Sequence, residues 1–165
     1  MSLLEKLKEI KILENREVDL KNAGRSGVYV NLKKIYGYPE LLREVAVAIA
    51  DKFPEGVTCV AVEGYGGISL GTEVSSNSGC HLTLVRENPK SYGLKRWLDG
   101  YSPTKEDRIL VLDDVLTTGG SLRRMADILK TNGGNVIGAG VVVKRGEAVL
   151  PFPCSYLFNL EDLTR

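Results

Sequence analysis

The amino-acid sequence predicts an α/β protein, with a central, mostly parallel sheet flanked by helices. Three observations lead there. Val57 to Val62, Ile109 to Leu112 and residues 135–144 are near-continuous apolar runs, the pattern of strands buried on both faces. Segments with helical periodicity alternate with them. Glycine-rich turns follow two of the strands, at Gly64 to Gly67 and Thr117 to Ser121, at the strand ends where such sheets bind ligands.

The elements follow in order. Residues 3–10 read as a short amphipathic helix, and 11–21 and 28–32 as irregular or strand segments. Pro39 opens a helix with Leu41, Leu42, Val45, Ala46, Ile49 and Phe53 at helical spacing. A strand over 57–62, a glycine turn, a helix over Ile68 to Asn77 and a strand over His81 to Arg86 come next. Residues 87–107 read as a long polar loop, a length that marks function or mobility in a compact domain. A strand over 108–113, a helix over 121–131 and a strand over 135–144 complete the pattern. The helix over 121–131 sets Leu122, Met125, Ala126 and Leu129 on one face.

At 165 residues the chain makes one domain, 1–165, with room for a real core. A net charge of +1 without a long basic run argues against nucleic acid as a partner. Cys59, Cys80 and Cys154 lack metal spacing and form no CxxC, so they read as free thiols of a reducing compartment. The first fifteen residues alternate charge with leucine and lack the roughly 7–15-residue apolar core of a signal peptide. No segment has the length and apolarity to span a membrane. A cytoplasmic protein is expected. His81, the single histidine, lies in an apolar strand and reads as a packed core or edge residue, not as a catalyst or ligand.

The densest information lies between Arg108 and Leu122. Apolar residues run into two adjacent carboxylates, Asp113 and Asp114, followed by Thr117, Thr118, Gly119, Gly120 and Ser121 and then a helix. The free N–H groups at a helix start suit an anion. Gly119 and Gly120 let backbone approach a phosphate, and the hydroxyls add donors. Carboxylates beside a phosphate cradle suit a sugar's hydroxyls, so the set fits a ribose 5-phosphate. Taken alone, an acid pair at a strand end reads first as a structural cap on the next helix, and it is the full string that points to a site. A second cradle, Glu63 to Ile68, fits neither dinucleotide nor P-loop chemistry, because Ser69 stands where a glycine is needed and no Gly-Lys-Ser/Thr follows.

The segment Asp113 to Ser121 resembles the signature of the type I phosphoribosyltransferases, which use phosphoribosyl pyrophosphate (PRPP). The likeness extends from about residue 18 to 163. It implies that Asp113 and Asp114 hold the ribose hydroxyls and that Thr117, Thr118, Gly119, Gly120 and Ser121 hold the 5-phosphate. Gly64, Tyr65, Gly66 and Gly67, about 50 residues upstream, then resemble the family's pyrophosphate loop. Residues 86–93 resemble the Arg-Lys-x-x-Lys-x-His-Gly stretch of the orotate branch, with Arg86, Lys90 and Gly93 matching. Glu87 and Tyr92 stand where that branch has Lys and His. Residues 20–31 and Arg145 are also in register with the orotate enzymes, although Lys144 replaces the usual Asp. By this likeness Lys21, Tyr29, Thr117 and Arg145 line an orotate site; outside it, Lys21 and Arg145 would read as surface cations.

The resemblance implies the family fold, with a small hood from residues 1–35 and the C-terminal segment, and a flexible loop over 87–107. It implies transfer of the 5-phosphoribosyl group from PRPP to a nucleobase, orotate first. Lys90, Asp113 and Asp114 would be catalytic, and Arg86 and Lys90 would meet the diphosphate. Mg²⁺ would arrive with the diphosphate and ribose, not on a protein cluster. A homodimer with loops exchanged between subunits is also implied. Two alternatives remain: a non-catalytic PRPP or nucleotide sensor, motivated by Glu87 and Tyr92, and a purine phosphoribosyltransferase.

Overall fold

The computed structural model describes residues 1–20, 24–89 and 96–165. A six-stranded sheet has the order β5-β4-β3-β6-β7-β8. Its strands are β3 (Cys59–Val62), β4 (His81–Val85), β5 (Leu98–Gly100), β6 (Ile109–Leu116), β7 (Val136–Lys144) and β8 (Cys154–Asn159). All neighbours are parallel except β4 and β5. A separate antiparallel hairpin joins β1 (Leu13–Leu20) to β2 (Gly24–Val30).

Strand pleat divides the core into two layers. Val60, Val62 and Leu112 face α2 (Pro39–Ala50) and α3 (Gly64–Ser78), where Leu41, Val45, Ile49, Leu70 and Val74 are buried. Cys59, Ala61, Ile109 and Val111 face α4 (Gly120–Thr131) through Leu122, Met125 and Leu129. Pro39 begins α2 as expected, and Leu42 and Phe53 pack at the core's margin. The α1 helix (Leu3–Glu9) starts at a Ser2/Glu5 capping box and packs near α2 and the C-terminal α5 (Leu160–Thr164).

Several elements differ from the sequence expectation. Gly64 to Gly67 are the first turn of α3, not a loop before it. The β6 strand runs through Asp113 and Asp114 to Leu116, because β7 still pairs with it after β3 has ended at Val62. Part of the expected 87–107 loop is β5, an antiparallel edge strand on β4. The C-terminal segment, expected in the hood, supplies β8 at the other edge of the main sheet before α5. A 3-10 turn over Leu32–Gly37 was also unanticipated.

Asp107 ties the far end of the sheet together. Its carboxylate is buried and accepts from Thr58 Oγ1 (2.8 Å), Tyr101 OH (3.0 Å) and Thr104 N (2.8 Å). The Thr104 N–H bond comes first among the causes that hold this carboxyl below its ordinary range. Asp107→Ala is expected to cost about 2–3 kcal/mol of stability, since it removes a charged acceptor and leaves several donors unpaired. Because the folded value is lowered, the carboxylate's contribution is present at neutral pH and lost as the solution is acidified through that lowered value. Chemical denaturation at pH 7 and in mild acid measures both. His81 is exposed and stacks on Tyr101 at 3.8 Å. All three cysteines are free, and burial pushes the Cys59 thiol up to about 11.

Candidate active site

Chain direction across the sheet reverses between β3 and β6. The chain steps outward to β4 after β3 and the opposite way to β7 after β6. A crevice beyond the carboxyl ends of the strands at such a switch point is where open α/β sheets bind ligands. Here a cleft of about 320 Å³ opens, lined by Tyr29, Lys33, Glu63 to Gly66, Glu87, Asp113, Asp114, Val115, Thr117, Ser121 and Arg145.

Its floor is the acid pair. Asp113 accepts a bond from the Asp114 N–H (2.9 Å), and Asp114 from the Val115 N–H (2.8 Å). Burial, then the neighbouring Asp114 charge, pushes the Asp113 carboxyl well above the usual carboxylate range. A group poised in this way gains most from hydroxyls that donate to its charged form.

On one side of the pair, Gly119 caps the N-terminus of α4 with a φ of +77°, a conformation that favours glycine. The turn from Thr117 to Leu122 encloses a crevice of about 40 Å³, with Asp113 in its wall. The Arg123 guanidinium donates to the carbonyls of Thr118 (2.9 Å) and Val149 (2.8 Å), fixing the turn from outside. The helix N–H groups open to a space of phosphate size.

On the other side stands the first turn of α3. A Cβ on Gly66 would lie 2.6 Å from Asp114 Oδ2, so only glycine allows this approach. The Tyr36 hydroxyl reaches the carbonyls of Gly66 (2.7 Å) and Tyr65 (2.9 Å). Burial, with the Asp114 and Asp113 charges, raises the Tyr36 pKa, which keeps this donor protonated. Glu63, just before the turn, forms an ion pair with Arg124. The same guanidinium donates to the carbonyls of Arg86 (3.3 Å) and Glu87 (3.4 Å).

Among the expected site residues, Tyr29, Gly64, Tyr65, Gly66, Asp113, Asp114, Thr117, Ser121 and Arg145 share the one cleft. Thr118, Gly119 and Gly120 line the adjoining crevice. Gly67 is buried beneath the turn against Val62 and the Leu112 carbonyl, a packing position and not a lining one. Arg86 does not line the cleft; its guanidinium is paired with Asp99 on β5. Lys21 and Lys90 lie outside the described residues. Sequence reasoning missed Lys33, Tyr36 and Arg124, which come from a 3-10 turn and from α4, and it placed Glu63 in the second cradle without a role. Adjacency to the Gly64 turn was the one available signal, and it pointed to Glu63 only.

Residues 32–156 match the phosphoribosyl transferase domain family. This chain belongs to that family. An orotate phosphoribosyltransferase of Methanocaldococcus jannaschii is 34% identical over 88% of this chain and 82% of that protein. One from Thermococcus gammatolerans is 37% identical over 78% and 69%. In fold, the family member described here is similar to a crystal structure of orotate phosphoribosyltransferase from Aeropyrum pernix. That likeness has a TM-score of 0.82 at 23% identity, covering 98% of this chain and 96% of that one. The helix-flanked, mostly parallel sheet is the fold the sequence predicts. Among the described residues no three His, Cys, Asp or Glu side chains group to hold a metal ion, and no helix is long and apolar enough to cross a membrane.

Proposed function

We propose that this protein is an orotate phosphoribosyltransferase, transferring the 5-phosphoribosyl group of PRPP to orotate and releasing orotidine 5-monophosphate and diphosphate. The observation that carries the reading is a cleft holding Asp113, Asp114, the Gly64–Gly66 turn and Arg145, with the Thr117–Ser121 turn enclosing a crevice beside it that shares Asp113. Identities of 34% and 37% with orotate enzymes over most of the chain support it.

The bond between the base nitrogen and C1 forms as the C1–O bond to diphosphate breaks, and the nitrogen's proton passes to the released diphosphate or to water. Asp113 and Asp114 hold the ribose hydroxyls and face the positive charge that builds on the ring. The Thr117–Ser121 turn holds the 5-phosphate, and the α3 N-terminus meets the departing diphosphate. Arg145 and Tyr29 receive orotate, with a guanidinium suited to a planar carboxylate. Lys21 completes the base site, and Lys90 brings charge to the leaving group. Mg²⁺ would come in on the diphosphate and ribose oxygens, since it keeps phosphate and water among its ligands, and would not need a cluster of protein side chains. Mg²⁺, when bound, supplies further charge against the leaving group. A cytoplasmic homodimer, with the segment between β4 and β5 exchanged between subunits, belongs to the same proposal; sedimentation tests the dimer.

Gly66→Ala pushes a methyl group into the Asp114 carboxylate. Displacing a catalytic group by about 1 Å can cost about 100-fold, so turnover should fall between about 10- and 100-fold with unchanged circular dichroism. Glu87, which lines the cleft where the orotate branch carries lysine, favours a PRPP sensor as the second reading. Purified protein with PRPP, Mg²⁺ and orotate, uracil, adenine or guanine in turn separates the readings. Diphosphate release with orotate alone supports the enzyme. Binding of PRPP without release with any base supports the sensor, and release with a purine alone moves the assignment to the purine enzymes.

A further inference from the structure

Among the described residues lining the cleft, two are cations, Lys33 and Arg145, against the carboxylates of Glu63, Glu87, Asp113 and Asp114. Glu63 is answered by Arg124 from outside. Arg145 is the residue proposed for orotate, so of these two cations Lys33 is the one on the sugar-phosphate side of the cleft, where PRPP brings a diphosphate. The Lys33 Nζ lies 3.9 Å from Asp114 Oδ2, and the backbone of Gly66 approaches the same carboxylate. The ammonium and the free N–H groups at the start of α3 thus flank Asp114 together.

The position is held firmly. Leu32 and Ile35, on either side of Lys33 in the 3-10 turn, are fully buried. The Tyr36 hydroxyl fastens the same turn to the carbonyls of Tyr65 and Gly66. Lys33 itself is 43% exposed, so a rooted backbone presents a mobile cation to the cleft. At 3.9 Å its contact with Asp114 is loose, too long for a hydrogen bond.

We propose that Lys33 is a substrate-binding residue for the diphosphate of PRPP. Ribose hydroxyls occupy the oxygens of Asp114, and the Lys33 ammonium meets the diphosphate oxygens over the Gly64–Gly66 turn. This rests on the PRPP reading above.

The test titrates diphosphate with Mg²⁺, and separately ribose 5-phosphate, into the parent, Lys33→Met, Lys33→Gln and Lys33→Arg by calorimetry, alongside the KM for PRPP. Loss of one charge-assisted contact should weaken diphosphate binding and raise the PRPP KM by about 10-fold or more in the Met and Gln variants. Ribose 5-phosphate affinity should stay within about twofold, and Lys33→Arg should keep most of the diphosphate affinity. Equal weakening of ribose 5-phosphate would show that Lys33 only positions Asp114 and would overturn the proposal, as would unchanged diphosphate binding. A parent that binds neither PRPP nor diphosphate overturns the PRPP reading itself, a result visible before any variant is made.

Discussion

Asp114→Asn and Asp113→Asn are each expected to lower turnover by about 10²–10³-fold, the range seen when one preorganised electrostatic group is removed from a reacting centre. The two should part company in stability. Burial and the Asp114 charge raise the Asp113 carboxyl in the folded protein, so folding opposes its ionisation. Stability linked to a raised carboxyl is fully present below about pH 4, where the unfolded group is protonated, and is lost as pH rises through the folded value. The uncharged Asp113→Asn chain should therefore melt above the parent at pH 7, and the gap should close in acid. Melting curves at pH 4 and 7 beside kcat values read both effects. A variant that is fully active, or one that melts below the parent at pH 7, contradicts the placement of the charge.

Arg145→Ala is expected to raise the orotate KM by about 10- to 100-fold, with the PRPP KM changed by less than about threefold. The figure follows from about 1.5–3 kcal/mol for hydrogen bonds to a charged group. Arg145 lies just beyond β7, its N–H bonded to the Leu116 carbonyl (2.8 Å), while the sugar-phosphate groups lie on β6 and α4. A loss confined to one substrate is the signature of a contact made to that substrate alone. Equal weakening of PRPP would move Arg145 out of the base site.

The parts of the fold legible in the sequence are those that a continuous pattern dictates. Central strands buried on both faces read as apolar runs, and α2 and α4 announce themselves by period, Pro39 and the Gly119–Gly120 turn. The edges do not. The three residues of β5 and the half-buried β8 pair on one side only, which leaves no distinctive composition. Gly64 to Gly67 read as a turn because glycine is a poor helix former. Close approach to Asp114 at Gly66 and to Leu112 at Gly67 outweighs that preference. The same split runs through the site. Asp113 to Ser121 is contiguous and can be read directly, whereas Lys33 reaches Asp114 only because the 3-10 turn docks on α3. Arg86 shows the reverse: its motif suggested the cleft, and Asp99 holds it on the sheet edge.

The most direct test of the account is a crystal structure of the protein with PRPP and Mg²⁺ bound. The 5-phosphate should lie in the Thr117–Ser121 crevice, both ribose hydroxyls on Asp113 and Asp114, and the diphosphate over the Gly64–Gly66 turn. A sugar phosphate bound with its hydroxyls away from the two acids would contradict that arrangement.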